Sequence, residues 1–197
     1  MSSTNTDPDS HTAFFYGTLM APSVLHRVCH GSSSPSNPLY ATHNLTTTPA
    51  LLPQHRRHRV RSADYPAILP HPTSTVRGTY VTGLTAADIW RLDIFEGSEY
   101  ARRKVKVLVG EDGGEEREAE TYIWIAGEGK LEDGEWDFDQ FKREKMRFWV
   151  GEDGEGEYAE VDEAVAASEK QKDGTGGRGA NGHITNALND EIKKNAV

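Results

Sequence analysis

The residue of this sequence with the clearest chemical potential is a glutamate on the apolar face of a predicted helix. In DIWRLDIFEG (88–97), a helix turning 100° per residue places Ile89, Leu92 and Glu96 in one narrow stripe. Burial disfavours a carboxylate there, and the dipole at the helix C-terminus disfavours it further. Both effects raise the pKa of Glu96 toward neutrality, where a carboxyl group works as a general acid and base. The spacing therefore predicts that Glu96 transfers protons.

Other interpretations of this carboxylate stay open at the level of sequence. The helix could fray at Gly97 and release Glu96 to water, or Glu96 could form an ion pair with Arg102 or Arg103. Asp93 lies on a neighbouring face of the same helix and is the competing acid.

A second candidate is the junction in FFYGTLMAPSVLHRVCHG (14–31). Its aromatic start is typical of a strand, Gly17 permits a tight turn, and Pro22 and Gly31 fit the beginning and end of a helix. The first N–H groups after such a turn have no partner within the helix. They can hold an anion or a carbonyl oxygen.

Metal binding and phosphate binding are weaker interpretations. HRVCH places His26 and His30 four residues apart beside Cys29, which a helix can present to zinc, but no further ligand group with recognisable spacing follows. The sequence therefore predicts no metal site, and Cys29 is explained as a small core residue. The basic run HRRHRVR (55–61) could meet phosphates, but an exposed edge strand or loop explains it better.

Three motifs together resemble the γ-glutamylcyclotransferase superfamily, in its AIG2-like and γ-glutamylamine cyclotransferase branch. They are FFYGTL near the N-terminus, YPAIL in the middle, and RLDIFEGSEYARRKVKV after it. The similarity covers roughly residues 14–126 with order and spacing intact. It implies a small β-barrel with peripheral helices, and neither a metal nor a cofactor.

The resemblance also implies roles for individual residues. Glu96 matches the acid/base of the family, and the YGTL loop matches its substrate-binding turn. The implied substrate-binding residues are Tyr16, Gly17, Thr18, Leu19, Tyr100 and Tyr122. In the family reaction the α-amine of a γ-glutamyl compound attacks its own γ-carbonyl, which gives 5-oxoproline and releases an amine. The alternative function is a non-catalytic small-molecule-binding protein on the same barrel.

The elements that must position these residues can be read from hydrophobic periodicity. TAAD (Thr85–Asp88) resembles a capping box and predicts a helix from Ala86 to Glu96, ended by a glycine. Residues 103–110 and 118–127 alternate and predict a hairpin, and weaker patterns predict strands at 14–19, near 41–45 and at 75–84. A last helix is expected within DFDQFKREKMRFWV (137–150). The fold class is therefore α+β, a small mixed β-barrel with peripheral helices.

Composition divides the chain into three segments. Residues 1–11 are polar, 12–150 hold nearly all aromatic and β-branched residues, and 151–197 are acidic and glycine-rich. We therefore expect a disordered N-terminus, one folded domain, and a disordered C-terminal tail. The net charge of −9 argues against nucleic-acid binding.

The expected location is the cytoplasm. The sequence has one cysteine, no signal-peptide pattern and no apolar stretch of about 20 residues. The expected partner is a small γ-glutamyl molecule, with neither nucleic acid nor membrane.

Overall fold

A single closed sheet organises the molecule. The computed structural model describes residues 10–112, 114–150 and 156–170. The strands are β1 (His11–Phe15), β2 (Thr46–Arg59), β3 (Pro66–Leu84), β4 (Tyr100–Val109) and β5 (Glu115–Trp124). They close into a ring in the order β1-β3-β2-β4-β5. Every pairing is antiparallel except the parallel contact of β1 with β5, so the predicted mixed barrel is confirmed.

Helices surround this ring. They are α1 (Pro22–His30), α2 (Pro38–Thr42), α3 (Ala86–Glu96), α4 (Phe138–Glu144), α5 (Met146–Val150) and α6 (Ala159–Lys170). Single turns of 3-10 helix lie at Thr18–Met20, Gly97–Glu99 and Glu128–Lys130. Within the described ranges, none of the helices combines the length and apolar character that crossing a membrane requires.

Two apolar clusters hold the layers together. One cluster lies within the sheet and includes Phe14, Leu52, Ile68, Val76 and Val107. The other lies between the sheet and the helices and includes Phe15, Val24, Val28, Leu84, Leu92, Phe141 and Trp149. Because side chains on a strand alternate between faces, the adjacent residues Phe14 and Phe15 contribute to different clusters.

The strand glycine Gly78 explains how β1 can lie so close to β3. A Cβ at Gly78 would collide with the Phe15 carbonyl oxygen and come within 2.6 Å of the Phe14 ring. A glycine is therefore needed because the backbones approach each other closely.

Helix α3 has the bounds that the capping pattern predicts. The Thr85 hydroxyl accepts a hydrogen bond from the Asp88 N–H at 3.2 Å, and Asp88 Oδ2 accepts one from the Thr85 N–H at 2.8 Å. The helix ends where Gly97 takes a positive φ of 70°. The reciprocal cap fixes where the helix starts, and so fixes which residues occupy its last turn.

The structure corrects two predicted elements. The predicted strand near 41–45 is wrong, because α2 occupies Pro38–Thr42, with Pro38 at its start and the Asn37 side chain accepting from the Leu39 N–H at 2.9 Å. The single last helix is also wrong. The chain bends at Lys145 between α4 and α5, which brings the rings of Phe141 and Trp149 within 5.7 Å.

The chain termini also differ from the sequence-based boundaries. His11 already belongs to β1, and residues 156–170, which were predicted to be disordered, form a short turn followed by α6. Tyr158 and Val161 are buried there because Tyr158 stacks on Phe95 and donates its hydroxyl to the Trp149 carbonyl at 2.7 Å. The disorder predicted for residues 1–9, 151–155 and 171–197 falls outside the described residues.

An ion pair joins α6 to α1. Two nitrogens of Arg27 donate to the two carboxylate oxygens of Asp162, at 3.0 and 2.7 Å, and the Arg27 guanidinium lies 4.5 Å from the centre of the Tyr158 ring. This bidentate geometry fixes the relative orientation of the two side chains as well as their distance. Helix α6 is therefore part of the folded domain.

Truncation after Val150 tests whether α6 contributes to stability. Each fully buried large side chain stabilises a fold by about 1.5–3 kcal/mol, so losing Tyr158 and Val161 should lower the free energy of unfolding by about 3–6 kcal/mol. We expect the midpoint of thermal unfolding to fall by roughly 6–24 °C. A chain ending after Lys170 keeps every described α6 contact and serves as the control, with an expected midpoint close to that of the full chain. Equal midpoints for all three chains would contradict the docking of α6.

Candidate active site

One cavity of about 270 Å³ opens where the turn after β1, the end of α3 and the start of α6 meet. Its wall is mostly aromatic and aliphatic, with carboxylates at several points. It is lined by Phe14, Phe15, Tyr16, Gly17, Thr18, Leu19, Tyr65, Pro66, Ile94, Phe95, Glu96, Glu99, Tyr100, Tyr122, Trp149, Gly156, Glu157, Glu160 and Val161. A concave, largely apolar site with a few polar groups is the usual form of a small-molecule pocket.

All seven residues singled out from the sequence line this one cavity. The seven are Glu96, Tyr16, Gly17, Thr18, Leu19, Tyr100 and Tyr122. They come from β1 and its turn, from α3, and from the two strands of the β4–β5 hairpin, which are far apart in the chain. Leu19 is also part of the core between sheet and helices, so it supports the turn as well as lining the cavity.

Glu96 has the electrostatic environment that the sequence predicts. Burial, with a smaller effect from the nearby Asp93 charge, raises the pKa of Glu96 to about 8. The fraying alternative is wrong because α3 remains helical through Glu96. The predicted ion pairs are also absent among the described residues, because Arg102 binds other acids and Arg103 donates to the Arg102 carbonyl.

Asp93 has a different environment on the same helix. It accepts two hydrogen bonds from Arg102, at 2.9 and 3.2 Å, and a third from the Tyr122 hydroxyl at 2.8 Å. Arg102 also bonds Glu120, which in turn lies 3.1 Å from a ring nitrogen of His11. The Asp93 carboxylate is therefore paired and hydrogen-bonded, which distinguishes it from the neighbouring Glu96.

The hydroxyl groups of three cavity tyrosines are all bonded to the protein. Tyr16 donates to the Tyr122 carbonyl at 2.6 Å, Tyr100 donates to the Pro66 carbonyl at 2.8 Å, and Tyr122 donates to Asp93. Burial is the main cause that raises the pKa of each hydroxyl above its usual range, so all three are neutral near pH 7. They give the cavity rigid aromatic walls.

The turn after β1 is held in place from two sides. A Cβ on Gly17 would lie 2.9 Å from two carbons of the Pro66 ring, so the glycine is needed for close approach to Pro66. Its φ of −127° requires no left-handed conformation. Nη1 of Arg57 donates to the Tyr16 carbonyl at 2.9 Å. The turn then enters the 3-10 helix Thr18–Met20. The first N–H groups of this helix have no preceding helical carbonyl to donate to.

The basic run 55–61 belongs to the scaffold. Besides holding Tyr16, Arg57 pairs with Glu135 at 3.0 Å, while Arg59 donates to the Glu135 carbonyl at 3.1 Å and to the Gln140 side chain at 3.0 Å. These arginines tie β2 to the loop that precedes α4. Their engagement with protein acceptors explains the run without a phosphate ligand.

The cavity contains residues that the sequence analysis missed. Glu157, Glu160 and Val161 were assigned to the tail, although the lone aromatic Tyr158 between them was a signal of burial. With Glu96 and Glu99 they give the cavity four carboxylates, and no lysine or arginine stands among the described residues of its wall. The site therefore favours a cationic group on its ligand, and within the described wall an anionic group would meet only neutral donors, such as backbone N–H groups and the hydroxyls of Thr18 and Tyr65.

Comparison with known proteins identifies the family. Residues 13–138 match the family model described as "Gamma-glutamyl cyclotransferase, AIG2-like". The chain belongs to this family. The resemblance carried by the three motifs is thus confirmed, and the match contains Glu96 and every other sequence-predicted cavity residue.

Relatives from Arabidopsis thaliana share both sequence and fold with this AIG2-like chain. Protein AIG2 C is 30% identical over 139 residues, which are 71% of this chain and 76% of that protein. AIG2-like protein B is 31% identical over 148 residues, which are 75% of this chain and 78% of that protein. Two plant proteins solved in solution superpose with TM-scores of 0.54 and 0.53 at 26% and 29% identity. They cover 88% and 74% of this chain, and 92% and 90% of their own chains.

The raised pKa of Glu96 makes stability depend on pH in a definite direction. The pKa of Glu96 is 4.5 in the unfolded chain and about 8 in the folded one. Between these two pH values the unfolded carboxyl is ionised while the folded one keeps its proton. Stability therefore falls as pH rises through this window. Glu96→Gln removes the effect, so its unfolding midpoint should exceed that of the wild type more at pH 9 than at pH 5.

Thermal unfolding followed by circular dichroism at both pH values measures this difference. The exposed strand residue Glu118 provides the control, because Glu118→Gln should show no such growth between the two pH values. A constant midpoint difference for Glu96→Gln would show that Glu96 ionises normally in the folded protein.

Proposed function

We propose that this chain is a γ-glutamyl cyclotransferase with Glu96 as its general acid and base. The observation that supports this proposal best is the Glu96 carboxyl in the cavity wall, which has no ion-pair partner among the described residues and a pKa raised to about 8 by burial. That value places its ionisation close to physiological pH, as proton transfer in both directions requires. Family membership and the acid-rich cavity support the same assignment.

The proposed reaction is internal to the substrate. The α-amine attacks the γ-carbonyl carbon, the tetrahedral intermediate collapses, and the bond from that carbon to the leaving nitrogen breaks. The products are 5-oxoproline and an amine. Holding the substrate folded supplies much of the acceleration, since well-oriented internal reactions reach effective molarities of about 10⁵ M or more.

Glu96 is proposed to accept and donate the protons that this reaction transfers. The attacking nitrogen begins as an ammonium and loses two protons in all, while a leaving nitrogen that departs as an ammonium gains two. One carboxyl that accepts from the first nitrogen and donates to the second returns to its starting state. A positioned acid/base of this kind typically contributes about 10²–10⁴-fold to the rate.

The ends of the substrate are recognised by different parts of the cavity. The ammonium group is attracted by the carboxylates, and beside Glu96 it stabilises the ionised form that the first proton transfer needs. The backbone N–H groups of Gly17, Thr18 and Leu19 are proposed to hold the α-carboxylate or the developing oxyanion. This follows from the lack of any lysine or arginine among the described wall residues.

Replacement of Gly17 tests the role of this turn. In Gly17→Val the new side chain meets the Pro66 ring and displaces the turn. We expect the affinity for 5-oxoproline, measured by calorimetry, to fall at least tenfold, while the unfolding midpoint changes by only a few degrees. Gly129→Val is the control, because a Cβ at Gly129 meets nothing within 4 Å. Unchanged affinity in Gly17→Val would remove the turn from the binding site.

Replacement of Glu96 tests the proton transfer. A panel of γ-glutamyl compounds is incubated with the protein, and 5-oxoproline is detected by mass spectrometry. We expect Glu96→Gln to bind substrate within a few fold of the wild type and to turn it over about 10² times more slowly or worse. For the wild type, kcat/KM should decrease below an apparent pKa of about 8.

The control for this experiment is Glu118→Gln. Glu118 lies on β5 outside the cavity wall and its exposed carboxylate pairs with Lys104 at 2.9 Å, so turnover should stay within about threefold. Asp93→Asn is unsuitable as a control, because it disturbs the bonds to Arg102 and Tyr122. Full activity of Glu96→Gln would refute the assignment. Binding of γ-glutamyl compounds by the wild type without turnover would favour the non-catalytic binding protein.

A further inference from the structure

A cluster of imidazoles and a carboxylate lies apart from the cavity, at the other end of α3. His30 is the last residue of α1, His43 follows α2, and Asp88 lies in the first turn of α3. One possible ligand atom from each of the three lies within 4.8 Å of the other two. Asp88 precedes Glu96 by eight residues, or about 12 Å along the helix, and none of the three lines the cavity.

The hydrogen bonds within this cluster fit one proton on each ring. Nε2 of His43 lies 2.8 Å from the Gly83 carbonyl and 3.2 Å from Asp88 Oδ2, which are both acceptors, so this nitrogen carries the proton. Nδ1 of His43 then carries no proton, and its lone pair can accept a hydrogen bond from Nε2 of His30, which lies 2.6 Å away. On the far side of the His30 ring, Nδ1 lies 3.1 Å from Nδ1 of His26.

We propose that His30, His43 and Asp88 form a binding site for a divalent transition metal, with Zn²⁺ as the best match. Two imidazole nitrogens and a carboxylate oxygen are ligands that zinc takes, and a water molecule completes a tetrahedral set. Asp88 is fully inaccessible and His30 only 5% exposed, while His43 is partly buried. This proposal does not depend on the proposed catalytic activity.

The surroundings of the two rings match what metal-ligating histidines require. Such a histidine normally donates its second ring N–H to a carboxylate or a carbonyl, which fixes the ring. His43 already does so through Nε2, toward the Gly83 carbonyl at 2.8 Å. When the metal takes Nε2 of His30, the His30 proton moves to Nδ1, which donates to Nδ1 of His26, and the His26 proton moves from Nδ1 to Nε2. All three rings stay neutral.

The movement that metal binding requires is within the reach of side-chain adjustment. Zinc–nitrogen bonds of about 2.0–2.1 Å in a tetrahedral set place two ligand atoms about 3.3 Å apart. The nitrogens of His30 and His43, now 2.6 Å apart, must therefore separate by less than 1 Å. The Asp88 carboxylate, which has a ligand atom within 4.8 Å of one on each ring, must approach by up to about 1.5 Å. Because Oδ2 caps α3, the other carboxylate oxygen is the one proposed to bind the metal.

Zinc titration of tag-free full-length protein, first dialysed against a chelator, tests this proposal. We expect one equivalent of Zn²⁺ by calorimetry, retention of one zinc after desalting by elemental analysis, and visible absorption of bound Co²⁺ that is typical of tetrahedral coordination. His43→Ala should weaken zinc binding at least tenfold. His58→Ala removes an imidazole elsewhere on β2 and should bind zinc like the wild type.

Thermal unfolding with and without Zn²⁺ gives an independent readout. Zinc should raise the midpoint of the wild type and of His58→Ala, and leave that of His43→Ala unchanged. His30→Gln, which keeps a polar side chain in the helix, is the second variant should His43→Ala fold poorly. Equal zinc affinity in the wild type and both cluster variants, or no binding by the wild type at 100-fold molar excess, would overturn the proposal.

Discussion

The ion pair of Asp93 with Arg102 is the interaction on which the candidate site depends. Asp93 and Glu96 lie less than one turn apart on α3, and a single nearby arginine could pair with either. Arg102 binds Asp93 through two nitrogens and Glu120 through a third, so all three guanidinium nitrogens are engaged by acids other than Glu96. An arginine paired with Glu96 would lower its pKa, whereas burial and, to a smaller extent, the nearby Asp93 charge raise it. The pairing of Arg102 with Asp93 therefore gives two neighbouring carboxyl groups of α3 different electrostatic environments.

The same region is where the sheet closes. β1 and β5 meet in a parallel contact at Ala13 and Glu120, so few backbone hydrogen bonds join them. Side chains complete the seam, because Thr121 donates to the Phe14 carbonyl at 2.8 Å and Tyr16 donates to the Tyr122 carbonyl. The cavity opens beside this seam. Residues that close the barrel thus also fix the shape of the binding site, which couples stability and function.

The sequence correctly predicted the elements that depend on residues close together in the chain. The capping box fixed α3 and hence the place of Glu96 on a buried stripe, and alternation predicted the β4–β5 hairpin. The family motifs predicted six further residues of the cavity wall, from the turn after β1 and from the β4–β5 hairpin. Long-range contacts were beyond such patterns. The burial of Tyr158 depends on Phe95 and Trp149, and the convergence of His43 and Asp88 on His30 depends on the packing of three helices. In each case the partners are separated by loops, which leave no periodic signal.

The docking of α6 has a consequence for comparisons within the family. The family match ends at residue 138, but Gly156, Glu157, Glu160 and Val161 form part of the cavity wall. Two members can therefore agree throughout the matched segment and still enclose bound molecules of different size and charge. An alignment of residues 13–138 compares Glu96 and the turn after β1, and leaves out the part of the cavity wall that the C-terminal helix contributes. Assignment of substrates by similarity needs the C-terminal helix as well.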